Sequence, residues 1–371
     1  MNNVSICIYE KIYAIVISMF FVAQILSPYV NDRTIYLELI ISLFNLYMWK
    51  WLLPIRLKLR HCCILICLCV IGGLGHPITS IKLFLNLYYV IILSYLWERK
   101  LWYIDVMIVI SVFVSILQLI LLSADLELAR MIGPENISKM IWGGYSTPAL
   151  TNLYDAFGFG FVRASGLSRE AGFLASLIVV ALIHTVVCKS DKFRNEVCFY
   201  IIGYFTSFSK MSFSLFPAYV IVKFRKYIDR IPLIIMLGLF AFFMCSYWST
   251  QTHMLNQPEN ITFLSRFGGY DAIRYLDIEQ LLLGENDLSK IGGLSAINEF
   301  YGENAFGGLA GWTISNGVVS LILFISILYL LKMSTTGGAL LLLLTINVQP
   351  DTNQNFVGYA WFLSIYYFSS R

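Results

Sequence analysis

The stretch FVRASGLSREAGFLASLIVVALIHTVVC, residues 161–188, sets the reading of the whole chain. Its second half, 171–188, is an apolar run broken only by small or neutral polar residues and His184. Its first half brings Arg163, Arg169 and Glu170 to the mouth of that run. A continuous run of about this length reads as a membrane helix, because barrel strands alternate over only about ten residues. Charge retained beside such a helix commonly serves an ion or an anionic group.

Working outward, composition carries the same message. Hydrophobic residues make up 58% of the 371 and charged residues 13%, and mean hydropathy is +0.73. Those values exclude a soluble globular or a disordered chain. Apolar runs recur at 12–30, 35–52, 62–76, 80–97, 102–122, 171–188, 197–208, 211–223, 231–247, 313–331, 337–349 and 356–370. The expected fold is therefore all-α: a single integral membrane domain over 1–371, a bundle of about twelve transmembrane helices. The short runs, 62–76, 197–208, 211–223 and 337–349, suit re-entrant hairpins as well as full crossings. The first run is not expected to be a cleaved signal, since it has no small-x-small site and further spans follow.

Charge orients the bundle. With the N-terminus in the cytoplasm, every second loop is basic: Lys50, Arg56, Lys58 and Arg60; Arg99 and Lys100; Lys189, Lys192 and Arg194; Lys223, Arg225, Lys226 and Arg230; Lys332 and Arg371. With Lys11 these are 16 of the 26 Lys and Arg. The positive-inside rule then sets both termini in the cytoplasm and turns two large polar loops, 123–170 and 248–312, outward. Polar chemistry must reside in those loops and the helix ends beside them.

The eight cysteines, at 7, 62, 63, 67, 69, 188, 198 and 245, fall in or at the ends of apolar runs. Cys62-Cys63-x3-Cys67-x-Cys69 has only His61 beside it, so it reads as packing, and no metal or disulfide is expected. No P-loop, zinc, nucleophile-elbow or dinucleotide motif occurs.

Arginine presents a planar fork of donors suited to phosphate or carboxylate oxygens. A helix beginning near Ala171 would aim free N–H groups at the place where Arg163, Arg169 and Glu170 cluster. The bland reading is that these residues anchor a helix at the membrane interface. The second loop carries Arg266, Tyr270, Arg274 and Tyr275, where tyrosine faces suit a sugar ring, with Glu285, Asp287, Glu299 and Glu303 as candidate acids. An ordinary solvated loop is the alternative there. Lys210, the one charge between 197 and 222, either faces a pocket or snorkels outward. His76 and His253 read as incidental, and His184 as a packed polar residue.

Together these features resemble the O-antigen polymerase family and its relatives, the O-antigen ligases. The resemblance spans the architecture and rests locally on Arg163-Ala-Ser-Gly166 with Arg169-Glu170, on Ser209-Lys210, and on the second loop's Arg266, Arg274, Leu283-Gly284, Glu303-Asn304 and Asn316-Gly317. Ligases usually place a histidine where Glu303 stands, which favours the polymerase. The resemblance implies glycosyl transfer at the periplasmic face of a bacterial inner membrane. The growing glycan would leave undecaprenyl diphosphate for the sugar of a new lipid-linked repeat unit. Arg163, Arg169, Arg266 and Arg274, supported by Lys210 and Tyr270, would bind diphosphate and glycan. Glu303, and next Glu170, would be the base, giving inversion without a metal or other cofactor. Lipid-linked repeat units and a chain-length regulator protein are the partners so implied. A ligase acting on lipid A-core and a lipid-linked oligosaccharide flippase are the alternatives. A flippase, however, needs its charges inside the bundle.

Overall fold

A computed structural model describes residues 7–31, 33–54, 58–124, 134–147, 152–156, 159–188, 195–207, 214–250, 269–287, 290–291, 306–345, 348–352 and 355–369. Among them the chain is mostly helical. In order the helices are α1 (Ile8–Val22), α2 (Leu37–Leu43), α3 (Leu46–Leu52), α4 (Leu59–Gly73), α5 (Pro77–Glu98), α6 (Ile104–Ala124), α7 (Pro134–Trp142), α8 (Ala171–Cys188) and α9 (Asn195–Ser207). They continue with α10 (Leu215–Lys223), α11 (Arg225–Ile228), α12 (Leu233–Thr250), α13 (Gly269–Ala272), α14 (Ile278–Leu283), α15 (Gly308–Leu330), α16 (Thr335–Leu344) and α17 (Asn355–Tyr366). Two antiparallel hairpins join them: β1 (Tyr29–Val30) with β2 (Arg33–Thr34), and β3 (Asn152–Ala156) with β4 (Phe159–Arg163).

Every expected apolar run contains helix, and among the described residues three helices are long and apolar enough to cross a membrane: Pro77–Glu98, Ile104–Leu121 and Gly308–Leu330. The run 35–52 is not one helix. It breaks at Phe44-Asn45, where the Asn45 side chain accepts hydrogen bonds from the backbone N–H groups of Tyr47 and Met48 and so starts α3, the usual competition of a short amide with helix continuation.

The chain divides into two compact units, one formed by Met1–Arg56 and Tyr88–Tyr219, the other by Leu57–Leu87 and Val220–Arg371. In the first, α6 packs against α9 and α1, and α9 against α8. Gly203 makes the α9 contact close: a methyl there would lie 2.5 Å from Val112 and 2.7 Å from Ile178. His184 is buried between the rings of Trp97 and Trp102, at 4.7 and 5.0 Å, as a packed polar residue. Glu10 is buried under a bidentate bond from Arg99, at 2.8 and 2.9 Å, and a bond from the Tyr95 hydroxyl at 2.9 Å. A carboxylate so buried requires such partners.

In the second unit, α15 packs on α4 and α14, α12 on α13 and α16, and α16 on α17. Trp312, Phe324 and Trp361 pack in series through its core, tilted and then edge-on, at 5.3 and 5.9 Å. The expected outward loop 248–312 contributes helix here. Asp277 and Gln280 exchange side-chain and backbone bonds at the start of α14, a reciprocal cap that satisfies two otherwise orphaned donors.

Candidate functional site

The segment that opened the reading belongs to the first unit, and its geometry follows from a polar stripe on α6. Ser111, Ser115 and Gln118 stand four and three residues apart, so they share one helix face. The Ser111 hydroxyl accepts from the Leu167 N–H at 2.9 Å, and Gln118 Oε1 accepts from the Gly166 N–H at 3.0 Å. Gln118 Nε2 donates back to the Gly166 carbonyl at 3.4 Å. Ser115 bonds Thr206 at 2.9 Å, and the Thr206 carbonyl accepts from the Ala164 N–H at 3.2 Å. The Ala164–Leu167 backbone is thereby laid along α6 and the end of α9.

Gly166 has φ +56°, in the left-handed region that glycine enters without penalty. A methyl there would strike the Ser111 carbonyl oxygen and hydroxyl. The sequence therefore needs glycine at this point to turn the chain from β4 towards α8.

This backbone positions the sequence-predicted side chains. Arg163, at the end of β4, donates from Nε to the Ser207 carbonyl at 3.1 Å. Arg169 lies with its guanidinium 5.0 Å from the centre of the Tyr29 ring, a cation–π contact. Its Nε is buried without a hydrogen-bond partner among the described residues. Glu170 is half-buried immediately before α8, and its carbonyl accepts from the Phe173 and Leu174 N–H groups. Also in this unit, Glu38 is fully buried; the Tyr89 hydroxyl donates to Oε1 at 2.7 Å while Oε2 has no partner among the described residues. Arg169 thus keeps a donor for an anionic oxygen, desolvated enough for the bond to count.

The second unit holds another polar constellation. Here α15 is interrupted at Gly317, with φ 77° and ψ 165°, and Gly284, with φ 88°, sits against it: a methyl on Gly284 would lie 2.6 Å from the Gly317 nitrogen. The two glycines let α14 and α15 meet backbone to backbone, with the Glu285 N–H donating to the Ile314 carbonyl at 2.8 Å. His76 Nε2 hydrogen-bonds the Leu283 carbonyl at 2.6 Å, so this histidine, read from sequence as incidental, ties α4 and α5 to α14. Thr79 donates to Asn316 Oδ1 at 2.6 Å, and Asn316 donates to the Trp312 carbonyl at 2.9 Å.

Beside them Asp351 is sealed, its side chain 1% exposed, with Lys82 Nζ 3.9 Å from Oδ2. Among the described residues neither carboxylate oxygen has a hydrogen bond of ordinary geometry. Burial pushes this carboxyl above the ordinary range, against the opposing pull of Lys82 and of the facing Trp312 and Thr79 side chains.

Of the other sequence-predicted residues, Tyr270 is half-buried on α13, edge-on to Phe240 at 6.4 Å. Arg274 is exposed, 5.8 Å from the Tyr275 ring. Glu303, Arg266, Lys210 and His253 lie outside the described residues. The structure thus groups Arg163, Arg169 and Glu170 on one segment, and Tyr270 and Arg274 on another in the second unit. Sequence reasoning missed the Ser111–Ser115–Gln118 stripe and the Lys82–Asp351 pair. The first was marked by three polar residues at helical spacing in an apolar run; the second joins residues far apart in sequence and carried no local signal. Compared with known proteins, the chain matches no family model, no curated protein and no solved structure.

Proposed function

We propose that this chain is a membrane glycosyltransferase of the O-antigen polymerase type, acting at the periplasmic face of a bacterial inner membrane. About twelve crossings with both termini cytoplasmic are part of this reading. The observation that carries it is Arg169, whose buried Nε–H has no acceptor among the described residues. A guanidinium so held suits the oxygens of a lipid-linked diphosphate.

In the reaction, a hydroxyl oxygen of the new repeat unit attacks the anomeric carbon of the growing glycan. The carbon–oxygen bond to undecaprenyl diphosphate breaks with its electron pair, and the hydroxyl proton passes to a carboxylate, Glu303 or Glu170. Arg163 and Arg169, with Arg266, Arg274 and Lys210, bind the diphosphate, and Tyr270 offers a face to the glycan. Cations aimed at the departing diphosphate stabilise charge that grows in the transition state. One displacement inverts the anomeric centre.

The test is a lipopolysaccharide gel from a strain lacking the gene, complemented with wild type, Arg169→Ala or Arg169→Lys, with membrane levels checked by blot. The expected result is loss of the ladder, leaving one repeat unit on core, in the null and in Arg169→Ala, with partial return in Arg169→Lys. Loss of every repeat from the core would point to a ligase or flippase instead. An unchanged ladder in the null strain would overturn the proposal.

A further inference from the structure

The pair in the second unit is asymmetric. Asp351 is sealed, but the Lys82 side chain is 38% exposed. At 3.9 Å the ammonium is beyond hydrogen-bond distance of the carboxylate, so its three donors are not consumed by it. The carboxylate is fixed from behind: Asn86 donates to the carbonyls of Pro350 and Thr352 on either side of it, both at 3.4 Å, and Trp361 donates to Pro350 at 3.1 Å. Thr79, Lys82 and Asn86 stand three and four residues apart on one face of α5. A pair serving stability alone gains little from such an arrangement, since a buried carboxylate whose cation stands beyond hydrogen-bond distance is costly. It does hold a reachable cation in place. Beside Lys82 on the same helix, Ile78 and Ile81 are 50% and 59% exposed, an apolar surface fit for an acyl or prenyl chain.

We infer that Lys82 is a binding site for the phosphate of a lipid, with Asp351 as the residue that positions its ammonium. This rests on the reading of the chain as a membrane protein handling lipid-linked diphosphate. Two sources share the chemistry, a polyprenyl diphosphate and a phospholipid headgroup. A compact ammonium suits either as a point charge.

The experiment uses the full-length protein in detergent, labelled at lysine by reductive methylation with and without farnesyl diphosphate, farnesol or phosphatidylglycerol, and read by mass spectrometry. Farnesyl diphosphate should protect Lys82 and leave Lys290 unprotected; farnesol should protect neither. Protection by phosphatidylglycerol as strong as by farnesyl diphosphate would support the site and assign it to headgroups. Equal labelling of Lys82 under all conditions would overturn the inference. In parallel, the melting temperature of wild type should rise with the logarithm of farnesyl diphosphate concentration. Lys82→Arg should keep the rise. The double variant Lys82→Met, Asp351→Leu, which strands no charge, should lose it, and a wild-type response there would equally overturn the inference. A ladder that requires the gene, with Lys82 unprotected, would sink this inference alone. Protected Lys82 with a ladder indifferent to the gene would sink the glycosyltransferase reading alone.

Discussion

At the scale of single residues, the demands on this chain fall on a few backbone and carboxylate positions. Gly166 combines a left-handed backbone with contact against the Ser111 carbonyl. Gly166→Ala should lower stability by about 2–4 kcal/mol, from backbone strain plus overpacking. Gly144→Ala, where a methyl meets nothing within 4 Å, should change it by less than about 0.5 kcal/mol. Thermal unfolding in detergent would separate the two, and equal effects would refute the clash. Asp229 sets a pH response. Burial pushes its carboxyl up, but bonds from the Thr336 N–H and Arg225, with the Thr336 and Ser334 hydroxyls facing it, outweigh that and hold it below the ordinary value. A carboxyl depressed in the fold stabilises above its unfolded pKa, and that stability is lost as pH falls through the folded one. Wild type should therefore melt above Asp229→Asn at neutral pH, with the gap closing in acid below the ordinary aspartate range. A gap constant from pH 7 into that range would contradict this.

At the scale of elements, the polar segment depends on two helices being close. Gly203 lets α9 approach Val112 of α6, and the last turn of α9 supplies the Thr206 and Ser207 carbonyls that hold Ala164 and Arg163. Gly203→Val should cost about 1–3 kcal/mol by overpacking and also displace those carbonyls. Its ladder should shorten even where the membrane level of protein is normal. A full ladder at normal level would show that the site does not depend on this contact. The broken run at Asn45 and the kinked α15 at Gly317 teach a related lesson. Hydropathy alone spans both interruptions, since one amide or one glycine barely changes a window average, yet each redirects the backbone through local bonding or left-handed geometry.

At the scale of the whole molecule, orientation is the open quantity that experiment reaches most directly. Alkaline phosphatase fused within 123–170 or 248–312 should be active, and a fluorescent protein fused after Arg371 should fluoresce. Inactive phosphatase at both loops would reverse the topology. The sequence by itself determined that the chain is helical and apolar, where most helices lie, and that Arg169 and Glu170 immediately precede a helix. Those properties depend on neighbours within a few turns, which hydropathy and spacing report. Only tertiary structure decided what completes each site. Nothing near Asp351 announces Lys82, 269 positions earlier, and nothing near Gly166 announces Gln118. Burying a polar group requires a partner, but which residue provides it depends on how the chain returns through space, and no local pattern encodes that return.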